Sequence, residues 1–228
     1  MASNRSLVFA FGMCVVCGFG LTLAATVLKP HQLRNQRVDQ QRNILKVLGV
    51  TDPNQSYSAD AIDDYYQQSV QKRYVNDQGQ VSDQVSDRPI YLLVQNNTLR
   101  AYAIPISGAG LWSTLYGYLS LEADGETLRG ITFYQHGETP GLGAEIDAAW
   151  FQSNFVGKKI VDANGTFTSV GVVRGAVVDS ISPDQRMHYV DGISGATVTS
   201  RGVDTLLKTD LQRYEAFAKR LRRKERVI

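Results

Sequence analysis

Twenty-two consecutive uncharged residues, Leu7 to Leu28, constrain this chain more than any other feature. A helix of that length rises about 33 Å, enough to cross a hydrocarbon core of roughly 30 Å. A cleaved signal peptide is the competing reading, but its apolar region runs about 7–15 residues. The most plausible cleavage stretch, Thr22-Leu-Ala-Ala25, lies too deep in the run, and Cys17 follows Val16 rather than the small residue of a lipoprotein site. The run therefore reads as a retained single-pass transmembrane helix, 7–28, behind a short tail, 1–6. Cys14 and Cys17 are the only cysteines, and both lie inside it, where a thiol behaves as a small hydrophobe. The remainder can hold no disulfide, thiolate metal site or cysteine nucleophile.

Orientation is contested by the charges themselves. Arg5 precedes the span, whereas Lys29, Arg34 and Arg37 follow it, which by the positive-inside rule alone puts the body in the cytoplasm. Beyond the span, Asn35–Val50 reads as an amphipathic helix stopped by Thr51-Asp-Pro-Asn54, and Ser58 as the N-cap of a helix reaching about Lys72. The duplicated Gln80-Val-Ser-Asp reads as a surface loop. Residues 29–88 are thus expected to form a helical stalk and linker.

The rest, 89–228, changes pattern. Ile90–Val94 and Leu99–Ile104 flank Asn96-Asn97, and Leu115–Glu122 and Thr127–Tyr134 flank Asp124-Gly125, two hairpin signatures. A further strand is expected over Thr166–Val173 and helices over Asp147–Val156 and Ser200–Leu221. In the last helix Leu207, Leu211, Tyr214, Ala218 and Leu221 form one apolar stripe. The fold class is α+β, antiparallel hairpins packed with helices behind one transmembrane helix. With no alternating βαβ series and no GxGxxG loop, a Rossmann-type nucleotide fold is not expected. Lys219 to Ile228 carry six basic residues and one acid, against a whole-chain net charge of +2. That basic end suits a solvated helix terminus, anionic lipid or an acidic partner surface; nucleic acid is not an expected partner, since aromatics are not interleaved with the charges.

Chemistry concentrates in Tyr189–Gly202, YVDGISGATVTSRG. Small residues before a helix let a ligand approach the backbone, and the first free amides of the helix suit a phosphate. Ser, Thr and Gly are also ordinary capping residues there. Upstream, Glu138-Thr139-Pro140-Gly141-Leu142-Gly143 is a loop able to offer backbone groups to a planar ligand edge, or a plain connecting turn. Leu111 and Trp112 suit either the wall of such a ligand or the core. His136 and His188 each stand alone among non-ligand neighbours, and no metal site is expected.

Asp191-Gly-Ile-Ser194-Gly195-Ala196-Thr197 resembles the D-x-x-[ST]-G-A-T signature of covalent flavinylation. Arg42-Asn-Ile-Leu-Lys-Val-Leu-Gly49, Pro105–Trp112 with Leu115-Tyr-Gly-Tyr118, and Glu138–Gly143 narrow the likeness. Together they resemble the C subunit of the sodium-translocating NADH:quinone oxidoreductases, from the N-terminal helix to about Leu207. The G subunit of Rnf electron-transport complexes shares two of the motifs but matches less well around Gly110–Gly117. An Rnf subunit or a stand-alone membrane-anchored flavoprotein is the alternative.

The resemblance implies one FMN per chain, esterified through its phosphate to Thr197 by a separate flavin transferase that takes it from FAD. Ser194, Gly195, Ala196, Glu138, Thr139, Gly141, Leu142, Leu111 and Trp112 are the expected non-covalent contacts, setting the potential by burial and backbone hydrogen bonds. Asp191 is expected to serve transferase recognition. It further implies an electron-carrying protein working with five other subunits (A, B, D, E and F) in a bacterial inner membrane, in a complex that oxidises NADH, reduces ubiquinone and exports sodium. The body is then periplasmic, where the transferase resides, against the charge count. No residue of this chain is expected to make or break substrate bonds.

Overall fold

The computed structural model describes residues 2–52, 55–225 and 227. Pro53 and Asn54 of the expected stop and Arg226 of the basic end lie outside them. The chain divides into two compact units, Met1–Gln40 and Gln41–Ile228. One continuous helix, α1 (Ala2–Val47), forms the first and enters the second. Its apolar side chains from Leu7 to Leu28 are exposed along their length. Thr22 and Thr26 donate their hydroxyls to the carbonyls of Gly18 and Thr22, each at 2.8 Å, so neither hydroxyl is left unpaired on this apolar surface. The expected stalk helix is the end of α1, and its stop comes earlier than expected. Gly49, at φ +66°, closes a Schellman turn in which the Val50 amide reaches the Leu45 carbonyl (2.9 Å) and the Gly49 amide that of Lys46 (3.0 Å).

In the second unit, α2 (Ala59–Ser69) is capped by Ser58, whose hydroxyl accepts the Ala61 amide at 3.2 Å. It ends three residues before Lys72, because Val70 already pairs in a strand. Segment 29–88 therefore contributes β1 (Val70–Val75) and β2 (Val81–Ser82) as well as helix. With β3 (Pro89–Gln95), β4 (Thr98–Ala109), β5 (Thr114–Glu122) and β6 (Leu128–Gln135) they form an antiparallel sheet in the order β2-β1-β3-β4-β5-β6. Both hairpin signatures fold as read. Asn96 and Asn97 take φ +51° and +56°, and Gly125 takes +71° beside Asp124, whose carboxylate accepts the amides of Glu126 and Thr127.

The alternation of the strands sorts their residues onto two faces. Tyr102, Ile104 and Ile106 of β4 with Leu115, Leu119 and Leu121 of β5 face the main core, shared with α5 (Thr197–Arg222). On the opposite face Ser120 donates to the Val47 carbonyl (2.5 Å) and Thr132 to Asn43 (3.1 Å), which anchors the end of α1. Leu207, Leu211, Tyr214, Ala218 and Leu221 are all buried, as the stripe requires. Two of the basic residues at the end of α5 are spent on the body: Arg220 donates to the Gly79 carbonyl (3.3 Å) and Arg222 to that of Gly125 (2.9 Å). Both glycines have positive φ, and a Cβ on either would lie within 2.5 Å of the α5 backbone.

Between β6 and α5 the chain is mostly irregular. A 3-10 turn (Gly143–Asp147) and the short α3 (Ala149–Ser153) replace the expected helix over Asp147–Val156. The strand expected over Thr166–Val173 shrinks to β7 (Gly171–Val172), which pairs in parallel with β8 (Tyr189–Val190). Ser169, at φ +65°, cannot continue an extended ladder, and the amides of Thr168 and Ser169 both turn onto the Ile160 carbonyl. A single helical turn, α4 (Val177–Ser180), follows β7.

Candidate flavin site

Thr197 is the first residue of α5, three residues earlier than the expected start at Ser200. The N-cap is Ala196 (φ −121°, ψ 46°), with no side-chain capping bond. Ser194 and Thr197 are thus not consumed in capping. The turn before the helix rests on Gly195 at φ +74° and on the Ile193 amide, which donates to Ser200 Oγ at 3.2 Å. Among the described residues the Thr197 hydroxyl has no hydrogen-bond partner, and the residue is half-buried.

Thr197 lines a cleft of about 220 Å³ bounded by Val172–Gly175, Gly192, Ser200, Arg201 and Asp204. Arg201 follows Thr197 by one helical turn, and Arg174 comes from the loop after β7. Both are exposed, and neither has an ion-pair partner among the described residues. The one acid in the cleft, Asp204, is already engaged, its Oδ1 accepting the Val172 amide at 3.0 Å. Two free guanidinium groups, the open amides of a helix N-terminus and an unpaired hydroxyl form a donor set suited to a phosphate ester.

The motif's acid and first glycine hold the cleft's far wall. Asp191 Oδ1 accepts the Val177 amide at 2.7 Å, so its carboxylate caps α4. The Gly192 amide donates to the Gly175 carbonyl (2.9 Å), and a Cβ on Gly192 would lie 2.1 Å from the Val173 oxygen. Only glycine permits that approach.

The Glu138–Gly143 loop meets the Asp191–Thr197 segment directly: a Cβ on Gly195 would sit 2.9 Å from Leu142 Cδ2. Thr139, Gly141 and Leu142 are exposed, Gly141 at φ +73° with open space around it. Glu138 is buried, and its carboxylate accepts the Thr199 hydroxyl (2.5 Å), the Leu111 amide (3.2 Å) and the Trp112 amide (2.9 Å). Burial pushes this carboxyl up, but the Thr199 hydroxyl and the amides of Trp112, Leu111 and Ser113 outweigh it and hold it below the usual glutamate range. The side chains of Leu111 and Trp112 are 50% and 70% exposed, which removes the core reading for both. They lie with Leu142 and Val198 as uncovered apolar groups on segments that touch one another, a surface suited to a planar ring.

Motif reasoning thus brings Thr197, Gly195, Ala196 and Leu142 to one place, with Leu111 and Trp112 tied in through Glu138. It missed Arg174, Arg201 and Thr199. Arg201 was findable, since a residue four beyond Thr197 shares its helix face. Arg174 sits in an irregular loop with no spacing to betray it.

Sheet, phosphate-ready helix end and exposed apolar side chains suit an FMN-binding domain carried behind an apolar helix, and comparison with known proteins bears out that class. The family model described as "FMN-binding domain" matches residues 110–212, from just before Leu111 into α5. The C subunit of the Na(+)-translocating NADH-quinone reductase of Pseudomonas aeruginosa is 34% identical over 98% of each chain. That of Vibrio vulnificus is 31% identical over 89% of this chain and 90% of its own. The crystal structure of the same protein from Parabacteroides distasonis superposes with a TM-score of 0.72 at 33% identity, covering 84% of this chain and 96% of that one. Shewanella oneidensis NqrC gives 0.67 at 26% identity over 83% and 98%. The chain belongs to the NqrC family, the C subunits of the Na(+)-translocating NADH-quinone reductases.

Proposed function

We propose that the chain carries a single FMN joined through its phosphate to Thr197 Oγ1. A phosphodiester there keeps one negative charge, which Arg174 and Arg201 face from two sides of the cleft. The observation that carries the reading is the free Thr197 hydroxyl at an uncapped helix start, beside two unpaired arginines. In maturation Thr197 Oγ1 bonds to the flavin phosphorus of FAD as the pyrophosphate bond breaks; AMP leaves and the hydroxyl proton passes to water. A separate flavin transferase catalyses the step, and Asp191 with Gly192 presents the motif by holding residues 173–177 against it.

Bound FMN supplies reversible electron transfer. The chain's part is to hold it: Leu111, Trp112 and Leu142 would shield the ring from water, the backbone of Thr139–Leu142 would offer it hydrogen-bonding groups, and Ser194–Ala196 would hold the phosphate. Covalent attachment suits a carrier whose site stays open to partners, because release cannot occur when its surroundings move. α1 anchors the chain in the bacterial inner membrane with the body on the periplasmic side. There it works with the five other subunits of the complex in coupling NADH oxidation and quinone reduction to sodium export.

Coexpression of Thr197→Val and Thr199→Val variants with the transferase tests the assignment. Flavin covalently bound after denaturation should vanish in the first and persist in the second. Covalent flavin retained in Thr197→Val refutes it. A C-terminal reporter active only in the periplasm tests the orientation, and activity of a cytoplasmic reporter instead would reverse it.

A further inference from the structure

Glu138 is a buried carboxylate with no lysine, arginine or histidine side chain within ion-pair distance among the described residues; neutral donors alone hold it. Those donors come from two separate segments, the turn bearing Leu111 and Trp112 and the first turn of α5. The protein leaves no room for anything larger around it. A Cβ on Gly110 would lie 2.6 Å from Glu138 Oε1, and one on Gly143 would lie 2.7 Å from Oε2 and 2.6 Å from Thr199 Oγ1. Behind it, the Glu138 amide donates to His136 Nδ1 (3.2 Å), whose Nε2 meets Asp147 (2.7 Å), which fixes the residue at its own backbone. The first turn of α5 contains no acid of its own, so Glu138 brings the only carboxylate bonded there among the described residues, through Thr199.

An uncompensated anion at this position has an electrical consequence as well as a mechanical one. Electrons added to a flavin ring put negative charge on it, and a fixed charge in a desolvated surround acts over many ångströms. We infer that Glu138 is a positioning residue that joins the ring-walling turn to the attachment helix, and that its fixed negative charge lowers the reduction potential of the flavin. This rests on the reading of Thr197 as the attachment point. A glutamine could fill the same space, but its amide NH2 would confront a donor, and the charge would be gone.

The test uses the full chain in detergent, flavinylated by coexpression, with two readouts. Intact mass reports whether FMN is on Thr197. Spectroelectrochemical titration reports the midpoint potential. In Glu138→Gln the oxidised-to-reduced ratio at fixed potential should fall at least tenfold, about 30 mV upward for a two-electron couple. Glu138→Asp, which keeps the charge, should stay within about threefold of the parent. A parent without the adduct refutes the attachment site, and the inference that rests on it falls with it. A fully loaded Glu138→Gln with the parent's potential overturns the inference. Should Glu138→Gln not fold, Glu138→Ala replaces it, since it removes the same charge without setting an NH2 against the donors; a fully loaded Glu138→Ala with the parent's potential overturns the inference equally.

Discussion

Two glycines in one loop, Gly141 and Gly143, should respond very differently to the same added methyl. At Gly143 a Cβ would overlap Thr199 Oγ1 (2.6 Å) and Glu138 Oε2 (2.7 Å), both buried and both committed to each other. Forcing atoms into a packed site costs about 1–3 kcal/mol. Parting the hydroxyl from the carboxylate removes a charge-assisted bond worth roughly 1.5–3 kcal/mol. Gly143→Ala should therefore destabilise by about 2.5–6 kcal/mol, and at ~2–4 °C per kcal/mol for a body of this size the melting temperature should fall by roughly 5–24 °C. At Gly141 nothing lies within 4 Å, and only the left-handed φ of +73° opposes alanine, at about 1–2 kcal/mol. Gly141→Ala should melt only about 2–8 °C below the parent. Thermal unfolding followed by far-ultraviolet circular dichroism on the full chain in detergent gives both values. Equal losses would refute the claim that the carboxylate contact, rather than loop conformation, organises this loop.

Other consequences follow from the same packing. Gly79→Ala should destabilise more than Gly165→Ala although their φ values match, +73° and +75°, because a Cβ on Gly79 would lie 2.4 Å from the Ala216 carbonyl carbon of α5 whereas one on Gly165 meets nothing within 4 Å; denaturant midpoints compare them. Burial pushes the Asp210 carboxyl above the usual carboxylate range, against the pull of the Ser107 amide and Arg213. Because the folded pKa is the higher one, the anion costs stability above that pKa, and the cost is relieved as pH falls through it. Asp210→Asn should thus raise the melting temperature at pH 7 and lose that advantage in acid, as paired melts across pH would record. Replacing Arg174 and Arg201 together by glutamine should lower the covalent flavin recovered per chain severalfold while leaving the melting temperature of the unflavinylated chain within about 2 °C, since neither makes an ion pair among the described residues.

What could be read in advance follows the locality of each signal. Asn96-Asn97 and Asp124-Gly125 dictate their turns by φ preference alone, and both hairpins form. The helix stripe ending at Leu221 needs only its own periodicity. β1 was hidden because Val70–Val75 continues the polar, helix-compatible run of α2, and its strand character comes from pairing with β3. Thr166–Val173 has strand composition throughout, yet Ser169 takes a left-handed conformation that no local preference demands. At the candidate site, the Asp191–Thr197 motif singles out Thr197 by resemblance, but the residues that surround it come from elsewhere. Arg174 arrives on a loop 23 residues upstream, and Glu138 reaches Thr199 across 61 residues. Glu138 was read as part of a loop offering backbone groups to a ligand; that its carboxylate is occupied by protein donors is visible only once β4, β5 and α5 are assembled.

The covalent-carrier role proposed for this chain depends on Thr197. Intact mass of the chain coexpressed with its flavin transferase, followed by peptide sequencing of any adduct, addresses that residue without intermediaries. A gain of one FMN less one water, located on Thr197, is expected. An unmodified chain, in cells where a known flavinylated protein is modified, or an adduct on Ser194, Thr199 or Ser200, would contradict it.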